Sequence, residues 1–400
     1  MYCLVISDTF PNKVAPWRGP YNRYQIEGLA EFCKVTVINP ISWTELLRNP
    51  EYGRLLHGLD GVLRNVPVYH PLLLHLPIWN RGSNWKAVRR ALDKSLKRID
   101  ADEIDVILAT FAYPHGLAAK ELARRLGVPY VIKARGSDLH SLPEDGGRLR
   151  GTREALSNAC AVVTVSHNLA RLAKDMGSKA SRVHILPNGV DTDAFRPLAR
   201  TEARKSLGLE IERSICLFVG NLRPVKGLDV LVKALSHMSH DGALAVVAGE
   251  GSMRGWLKRQ ARRADLAGRL QLVGQLSRDK VLMWMNAADV VVLPSRNEGC
   301  PNVVLEALAC GTPVVASRVG EVPHLLDPEC GIQVQPEDAR GLAEALEEAI
   351  DRDWDRQMIR GKVQHLTWQN NVRRLHSILD GAVREQTGSS AGREKTPSPR

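Results

Sequence analysis

Two glutamates eight residues apart, Glu298 and Glu306, flank the start of a predicted helix. Each could hold neighbouring hydroxyl groups of a sugar or a ribose, because a carboxylate offers only acceptor oxygens. The helix is predicted to begin at Pro301 or Asn302, since proline suits the first helical turn. Its free backbone N–H groups could bind a diphosphate. The segment therefore suits a ligand with sugar, diphosphate and ribose in a row; surface acids near a helix start are the alternative.

A second segment combines cations with glycines. After a predicted strand at 215–219 the chain continues GNLRPVKG, with Arg223 and Lys226 on a loop and a helix starting after Gly227. Two cations at the carboxyl end of a strand could neutralise a departing diphosphate, and a solvated turn is the alternative. A third segment, AGEGSMRG at 248–255, resembles a dinucleotide-binding loop but is one residue too long. No clear strand-end acid follows it, so we expect no nicotinamide site.

Short apolar runs alternate with helical stretches and predict the elements that position these loops. The predicted strands are 2–6, 34–38, 105–109, 128–132, 160–165, 215–219, 244–248, 270–273, 289–293 and 313–316. Continuous apolar strands between helices are typical of parallel sheets that are covered on both faces. The pattern restarts after residue 190, so it predicts two doubly wound α/β domains. The turn-rich segment at 187–200 is the predicted boundary.

The composition of the 400 residues, with 44% hydrophobic and 25% charged residues, is ordinary for a globular protein. It excludes collagen-like, fully disordered and disulfide-scaffold chains. No stretch approaches about 18 uninterrupted apolar residues, and the N-terminus is predicted to be a strand and not a signal peptide. The seven cysteines are scattered without a C-x-x-C pair, which indicates a reducing compartment and no zinc site. We therefore expect a cytoplasmic protein.

Positive charge is concentrated in the first half of the chain. Residues 1–185 contain 26 Lys and Arg against 17 Asp and Glu, whereas the remainder contains 29 against 27. A basic surface suits anionic lipids, nucleic acid or phosphorylated substrates, and a merely solubilising surface is the alternative. In this half, the apolar, proline-broken stretch 66–85 leads into an amphipathic helix predicted over 85–99. That helix is typical either of a membrane surface or of a sheet-covering helix with a solvated basic face.

Three motifs, in order, resemble those of the retaining family 4 glycosyltransferases, which have the GT-B fold. Glu298 and Glu306 match E-x7-E, the segment 220–227 matches G-x-L-x-P-x-K-G, and PNGVD at 187–191 resembles the signature before the second domain. VGNLRPVKG at 219–227, YPHG at 113–116 and KARGSD at 133–138 are similar to the teichuronic-acid and exopolysaccharide subgroup. The resemblance covers about residues 1–383. It implies two Rossmann-like doubly wound parallel-sheet domains facing a central cleft.

The resemblance also implies how the chain is divided. Residues 1–186 would form the acceptor-side domain and residues 187–365 the domain that binds a nucleotide sugar. We expect a helix at 366–386 to cross back to the first domain. Residues 387–400 are polar without apolar periodicity, so we expect them to be disordered.

The resemblance gives each motif residue a role. Lys226, with Arg223, would bind the donor diphosphate, Glu298 the transferred sugar and Glu306 the ribose. His115 is either a catalytic residue or an ordinary loop histidine. Further donor contacts are implied for Gly19, Gly220, Asn221, Gly299, Pro301, Asn302 and Val303.

Three positions depart from the family's pattern. Asn221 stands where many members have arginine, and Gly19 followed by Pro20 replaces a Gly-Gly pair. The family's histidine would fall near Thr110, five residues before His115. The arginine role and the role of His115 are therefore open.

The reaction expected from the motifs is same-face attack by an acceptor hydroxyl. A double displacement needs two carboxyl groups about 5 Å apart, whereas eight helical residues span about 12 Å. The donor motifs lack D-x-D, so we expect no requirement for a divalent metal. The resemblance implies a retaining hexosyltransferase, and we expect no cofactor.

The expected partners are a UDP- or GDP-type sugar donor, a lipid-linked or glycan acceptor, and the anionic inner face of the cell membrane. Nucleic acid is not an expected partner, because it would explain the charge but not the two acidic motifs. Two alternatives stay open: a sugar-nucleotide epimerase on the same fold, and a non-catalytic protein that binds phosphorylated polymers.

Overall fold

The computed structural model describes residues 1–56, 66–75, 81–140, 146–239 and 242–391. Its internal contacts divide the chain into two compact units. The first consists of residues 1–187 and the segment that starts at Trp368, and the second consists of residues 188–367.

The first unit is built on a parallel sheet. Its strands are β1 (Tyr2–Ile6), β2 (Lys34–Ile38), β3 (Ile41–Ser42), β4 (Val68–Tyr69), β5 (Leu72–Leu73), β6 (Val106–Thr110), β7 (Tyr130–Ala134), β8 (Ala161–Thr164) and β9 (Val183–Ile185). Seven of them pair in the order β4-β2-β1-β6-β7-β8-β9, and β3 pairs with β5. Every residue of β1 and β6 is buried, because helices cover both faces of such a sheet.

The helices of the first unit connect successive strands. Before the chain enters the second unit they are α1 (Pro20–Leu29), α2 (Trp43–Arg48), α3 (Asn84–Leu96), α4 (Leu117–Leu126), α5 (Ser137–His140), α6 (Gly146–Asn158) and α7 (His167–Asp175).

Helix α3 decides between the two interpretations of the basic amphipathic segment. Val88 and Leu92, at the centre of its apolar stripe, are fully buried in the first unit. The prediction of a membrane-surface helix is therefore wrong in so far as it needs this stripe to enter a bilayer, and α3 covers its own domain. The outer face of α3 is positively charged, since Arg90 and Lys94 are exposed. The preceding stretch contains β4 and β5, and its residues 76–80 lie outside the described part.

The second unit repeats the parallel architecture. Its strands are β10 (Ile215–Val219), β11 (Leu244–Ala248), β12 (Leu270–Gly274), β13 (Val290–Leu293), β14 (Val314–Ser317) and β15 (Gly331–Val334). Its helices are α8 (Arg200–Ser206), α9 (Leu228–His237), α10 (Arg254–Gln260), α11 (Arg278–Ala287), α12 (Asn302–Ala309), α13 (Val322–Leu325), α14 (Ala339–Asp351) and α15 (Arg356–Gly361). The strand order is β12-β11-β10-β13-β14-β15.

Each sheet reverses its strand order once, between β1 and β6 in the first unit and between β10 and β13 in the second. The loops that leave neighbouring strands diverge at such a point to opposite faces of the sheet. They open a crevice at the carboxyl edge, where open α/β sheets bind ligands. The loops that carry the predicted site residues leave β1 and β6 or β10 and β13.

A last helix, α16 (Trp368–Ala391), belongs to the first unit. Trp368 stacks on Tyr21 and Tyr24 of α1, with ring centroids 6.3 and 5.8 Å apart. Leu375 and Leu379 lie in the buried core of this unit. The helix continues through residues 387–391, so the prediction of disorder is wrong for these five residues; adding residues to an existing helix is easier than starting one. Residues 392–400 lie outside the described part.

Among the described residues, none of the helices combines the length and the apolar character that a membrane span requires.

Candidate active site

The centre of the candidate site is an ion pair between two loops of the second unit. Lys226 Nζ lies 2.6 Å from Glu298 Oε1, although the two residues are 72 positions apart. Ser295 Oγ donates a second hydrogen bond of 2.7 Å to the same oxygen. The side chains of Lys226 and Glu298 are 23% and 10% exposed. Because β10 and β13 are neighbours, their following loops bring together two residues that the sequence predicted to act on one ligand.

Gly227 allows these loops to approach. Its φ is +65°, and a Cβ atom there would lie 1.9 Å from the carbonyl oxygen of Pro294. A side chain would force the loop after β10 away from the loop after β13, and a residue with a Cβ would also be strained at this φ. The glycine that ends the lysine motif is therefore required by backbone contact.

Arg296 connects the same two loops and was not predicted from the sequence. Its guanidinium donates to both carboxylate oxygens of Asp229 at 2.8 and 2.7 Å, and it also bonds to Glu337 and to the carbonyl oxygen of Pro224. The hydrogen bonds from Arg296 lower the pKa of Asp229 below its ordinary value. This pair therefore contributes stability at neutral pH and loses it only as the pH falls through that lowered pKa. A sequence signal existed, since Arg296 lies two residues before Glu298.

The start of α12 is the candidate phosphate-binding element. The helix begins at Asn302, as predicted, and no described side chain caps it. Its first backbone N–H groups, of Asn302 and Val303, can therefore bind an anion. Glu306 lies one turn further along the helix and is partly exposed.

Two neighbouring segments support the loop before α12. Gly320 has φ +60° and would place a Cβ 2.4 Å from the carbonyl oxygen of Glu298. Glu321 N donates to the carbonyl oxygen of Gly299 at 2.8 Å, and Asn188 Nδ2 donates to that of Cys300 at 3.2 Å. Asn188 belongs to the PNGVD signature, so this motif supports the loop from a distance of 112 residues.

The remaining predicted residues of the second unit lie at the end of β10. Gly220 N donates to the carbonyl oxygen of Ala248 at 3.0 Å, and Asn221 and Arg223 are exposed. The carbonyl oxygen of Arg223 accepts a hydrogen bond of 2.9 Å from the backbone N–H of Lys226. Within the described part of the chain, its guanidinium group bonds to neither Lys226 nor Glu298. A Cβ on Gly249 would lie 1.9 Å from the carbonyl oxygen of Gly220, and one on Gly251 would lie 2.4 Å from that of Leu222. These two glycines therefore serve loop packing.

The first unit places Gly19 and His115 at its own strand-order reversal. Gly19 precedes α1 with φ +58°, and a Cβ there would lie 2.2 Å from the carbonyl oxygen of Thr9. His115 is 1% exposed, and its Nε2 lies 3.9 Å from Oδ2 of Asp8. Asp8 is 42% exposed and was not predicted. Asp8 is thus an exposed acidic group beside the buried His115. The role of His115 stays a prediction.

Asp138 ties the two subgroup motifs of the first unit together. Its carboxylate accepts hydrogen bonds from the backbone N–H groups of Ala112 at 3.1 Å and of Arg135 and Gly136 at 3.1 and 3.0 Å. The bond to Ala112 holds a turn in which Phe111 has φ 89°, a conformation that bulky residues rarely adopt. Burial raises the pKa of Asp138 in spite of these bonds. Asp138 thus connects KARGSD to the residue that directly precedes YPHG.

Comparison with known proteins decides the family. The model of the Glycosyltransferase Family 4 domain matches residues 21–194, and that of Glycosyl transferases group 1 matches residues 199–365. The chain is 30% identical over 355 residues to TuaC of Bacillus subtilis, described as a teichuronic acid biosynthesis glycosyltransferase, and covers 88% of that protein and 86% of itself. The chain belongs to the family 4 glycosyltransferases of GT-B fold.

Other relatives are consistent with this membership. The D-inositol 3-phosphate glycosyltransferase of Acidothermus cellulolyticus is 32% identical over 302 residues, which cover 70% of this chain and 67% of that one. The sucrose-phosphate synthase of Thermosynechococcus elongatus has a TM-score of 0.72 at 20% identity and covers 98% of both chains. Anabaena HepE in complex with UDP has a TM-score of 0.68 at 18% identity over 98% and 99%. The two solved structures confirm the fold alone.

A prediction concerns Arg296 as a positioning residue for this glycosyltransferase. Arg296→Gln removes the fork that holds the loop after β10 beside the loop after β13, so Lys226 and Glu298 should separate. A misplacement of about 1 Å can cost on the order of 100-fold in rate. We expect turnover to fall by about 10- to 100-fold, measured as steady-state release of nucleoside diphosphate.

The matched control is Arg318→Gln, which removes an exposed arginine of the same unit that bonds to Gln333. It should leave turnover unchanged. Wild-type turnover in Arg296→Gln would show that the fork does not position the ion pair.

Proposed function

We propose that this family 4 glycosyltransferase is a retaining enzyme that transfers a hexosyl group from a UDP- or GDP-sugar to a lipid-linked or polysaccharide acceptor. The product would belong to a cell-surface glycan or exopolysaccharide. The observation that carries the proposal is the Lys226–Glu298 ion pair beside the uncapped start of α12. The TuaC relative supports the class of product, and solved HepE structures contain UDP and UDP-glucose.

In this proposal the donor lies along the carboxyl edge of the second unit. Its diphosphate is bound by Lys226 and by the backbone N–H groups of Asn302 and Val303. Glu298 accepts hydrogen bonds from the transferred sugar, and Glu306 accepts them from the ribose. Gly220 and Asn221 contact the donor from the end of β10, and Gly299 and Pro301 from the loop before α12. The acceptor binds the first unit.

The proposed retaining mechanism does not use Glu298 as a nucleophile. One oxygen of Glu298 receives hydrogen bonds from Lys226 and Ser295, which stabilise the negative charge that a nucleophile would have to share. Glu298 is therefore a poor nucleophile for a covalent sugar intermediate. The acceptor hydroxyl instead attacks the anomeric carbon on the face from which the diphosphate departs. Lys226 and the helix start stabilise the charge that grows on the leaving group, so the reaction proposed here needs no divalent metal.

The exposed cations of α3 support contact with an anionic bilayer at the inner face of the membrane. Arg90, Lys94 and Lys97 are exposed, whereas Arg89 lies 3.2 Å from Asp93. Because the apolar stripe of α3 is buried, this contact is electrostatic. It therefore weakens with salt.

Glu306 and Glu298 should have separable effects. Glu306→Ala leaves a ribose diol without its acceptor, which costs about 1–3 kcal/mol and should raise the Kd for UDP or GDP by about 5- to 150-fold. Glu298→Ala should leave that Kd unchanged and lower turnover. Isothermal titration calorimetry and steady-state kinetics measure the two effects. Exposed Glu344 provides the control, Glu344→Ala, which should change neither. A nucleotide Kd that responds to Glu298→Ala and not to Glu306→Ala would reverse the two assignments.

Lys226 should control the chemical step. Lys226→Ala removes one preorganised charge and should reduce turnover by on the order of 100-fold or more. The control is Lys233→Ala, at an exposed lysine on α9, which should not reduce turnover.

EDTA should leave the wild-type rate unchanged. Loss of activity in EDTA that Mg²⁺ or Mn²⁺ restores would contradict the metal-independent mechanism. Nucleoside diphosphate should be released only when acceptor is present. An epimerase would not release it, so this measurement separates the two activities.

The membrane contact predicts co-sedimentation with vesicles of phosphatidylglycerol and phosphatidylcholine, and not with vesicles of phosphatidylcholine alone. Replacing Arg90, Lys94 or Lys97 by glutamine should each weaken binding by about 1 kcal/mol, or roughly fivefold. Arg89→Gln is the control and should have a smaller effect because Asp93 already neutralises this cation. Equal binding to neutral vesicles would contradict an electrostatic contact.

A further inference from the structure

A pocket of about 450 Å³ opens in the first unit, away from every motif residue. Trp43, at the start of α2, and Leu74 and His75, after β5, line one side of it. Lys86 and Arg90, on the first turns of α3, line the other. Its volume lies within the range of about 300–1,000 Å³ that is usual for small-molecule sites.

The α3 side of the pocket is cationic. Lys86 and Arg90 are four residues apart, so they lie on one face of the helix, and both are exposed. Within the described residues, neither has a carboxylate at ion-pair distance. Arg89 differs, because Asp93 pairs with it and also with Arg125 at 2.8 Å. Two cations that have no carboxylate partner among the described residues are suited to an anion with several oxygens, such as a phosphate.

Trp43 and Leu74 give the pocket an apolar part. The Trp43 indole N–H donates to the carbonyl oxygen of His75 at 2.6 Å, so the polar atom of this ring is already satisfied. Leu74 is 62% exposed, which is unusual for a leucine beside a concave surface. A ligand for this part must offer hydrocarbon.

The pocket lies at the carboxyl edge of the sheet, where Gly19 also lies. Trp43 and His75 follow β3 and β5, which the chain enters directly after β2 and β4. Arg18, in the loop before α1, donates to Glu45 of α2 at 2.6 Å. The loop that carries Gly19 is therefore tied to the helix that carries Trp43.

We propose that this pocket binds the phosphate end of a lipid phosphate, that is, a phosphate or diphosphate monoester of a long isoprenoid or alkyl chain. Lys86 and Arg90 bind the phosphate oxygens, and the first carbons of the chain lie against Trp43 and Leu74. The inference rests on the proposed function in one respect: the lipid is the anchor of the lipid-linked acceptor. It adds the residues that recognise the anchor.

The test is calorimetric titration of the full chain with farnesyl phosphate, below its micelle-forming concentration. Lys86→Gln combined with Arg90→Gln removes two charges from the pocket. Lys94→Gln combined with Lys97→Gln removes two exposed charges from the same helix outside the pocket. We expect the first variant to weaken farnesyl phosphate binding at least tenfold and the second to change it less than twofold. Leu74→Asn should weaken binding of farnesyl phosphate and leave the weaker binding of inorganic phosphate unchanged.

Two results would overturn the pocket assignment: no binding of farnesyl phosphate to the wild-type chain, or equal losses in the two double variants, which would indicate general electrostatic attraction. Urea denaturation of both variants controls for folding, because Gln replaces exposed side chains and should leave the midpoint unchanged.

UDP and GDP titrations separate this proposal from the proposed function. If no nucleotide binds but farnesyl phosphate binds through Lys86 and Arg90, the glycosyl donor assignment fails and the pocket stands. If nucleotides bind and farnesyl phosphate does not, the pocket assignment fails alone.

Discussion

The backbone contact between Gly227 and the carbonyl oxygen of Pro294 is the constraint on which the candidate donor site depends. The two strands beneath it are neighbours because the strand order reverses there, but neighbouring strands do not by themselves bring their loops into contact. Only a residue without a Cβ permits the approach of the loops. Lys226 then reaches Glu298, and Arg296 can bond to both sides. The absence of a Cβ at Gly227 thus allows the charged residues of the two loops to meet at the edge of the sheet.

The first unit is organised around a buried polar chain that was not predicted. Lys133, 1% exposed, donates to Gln25 of α1, and Gln25 donates to Asn371 of α16 at 2.5 Å. Asn371 in turn donates to the carbonyl oxygen of Pro187, the last residue before the chain leaves this unit. Buried polar groups are costly unless each has a partner. This series of hydrogen bonds therefore fixes where α16 packs on the first unit and where the backbone leaves that unit.

Local patterns allowed much of the fold to be predicted and little of what supports the site. The strands at 2–6, 34–38, 215–219 and 244–248 have the predicted bounds, because each is rich in apolar and β-branched residues. β3, β4, β5, β9 and β15 were missed, since they are short or contain polar residues. Helix α3 shows a limit of a different kind: its amphipathic spacing is the same whether the apolar stripe covers a sheet or enters a bilayer. Only the burial of Val88 and Leu92 distinguishes the two.

The candidate site likewise contains residues that could be predicted from the sequence and residues that could not. Lys226 and Glu298 belong to motifs whose chemistry is visible in the residues, and the structure places them in contact. Arg296, Asp8 and Asp138 were missed because each acts through partners that are distant in sequence or through backbone groups. Asp138, for example, bonds to Ala112, which lies 26 residues earlier. A search of the sequence for reactive side chains does not reveal such supporting hydrogen bonds.

The Lys226–Glu298 pair also bears on how a donor could bind without a large electrostatic cost. Stripping water from an isolated charge is expensive, and a partly buried ion pair has already lost part of its hydration. In the proposed complex the diphosphate replaces Glu298 as the partner of Lys226, while sugar hydroxyls replace Lys226 as the partners of Glu298. Both charges keep a partner throughout, and Ser295 holds Glu298 during the exchange. An apolar pair of the same size would pack as well in the absence of a donor, but it would leave the diphosphate and the sugar without these partners.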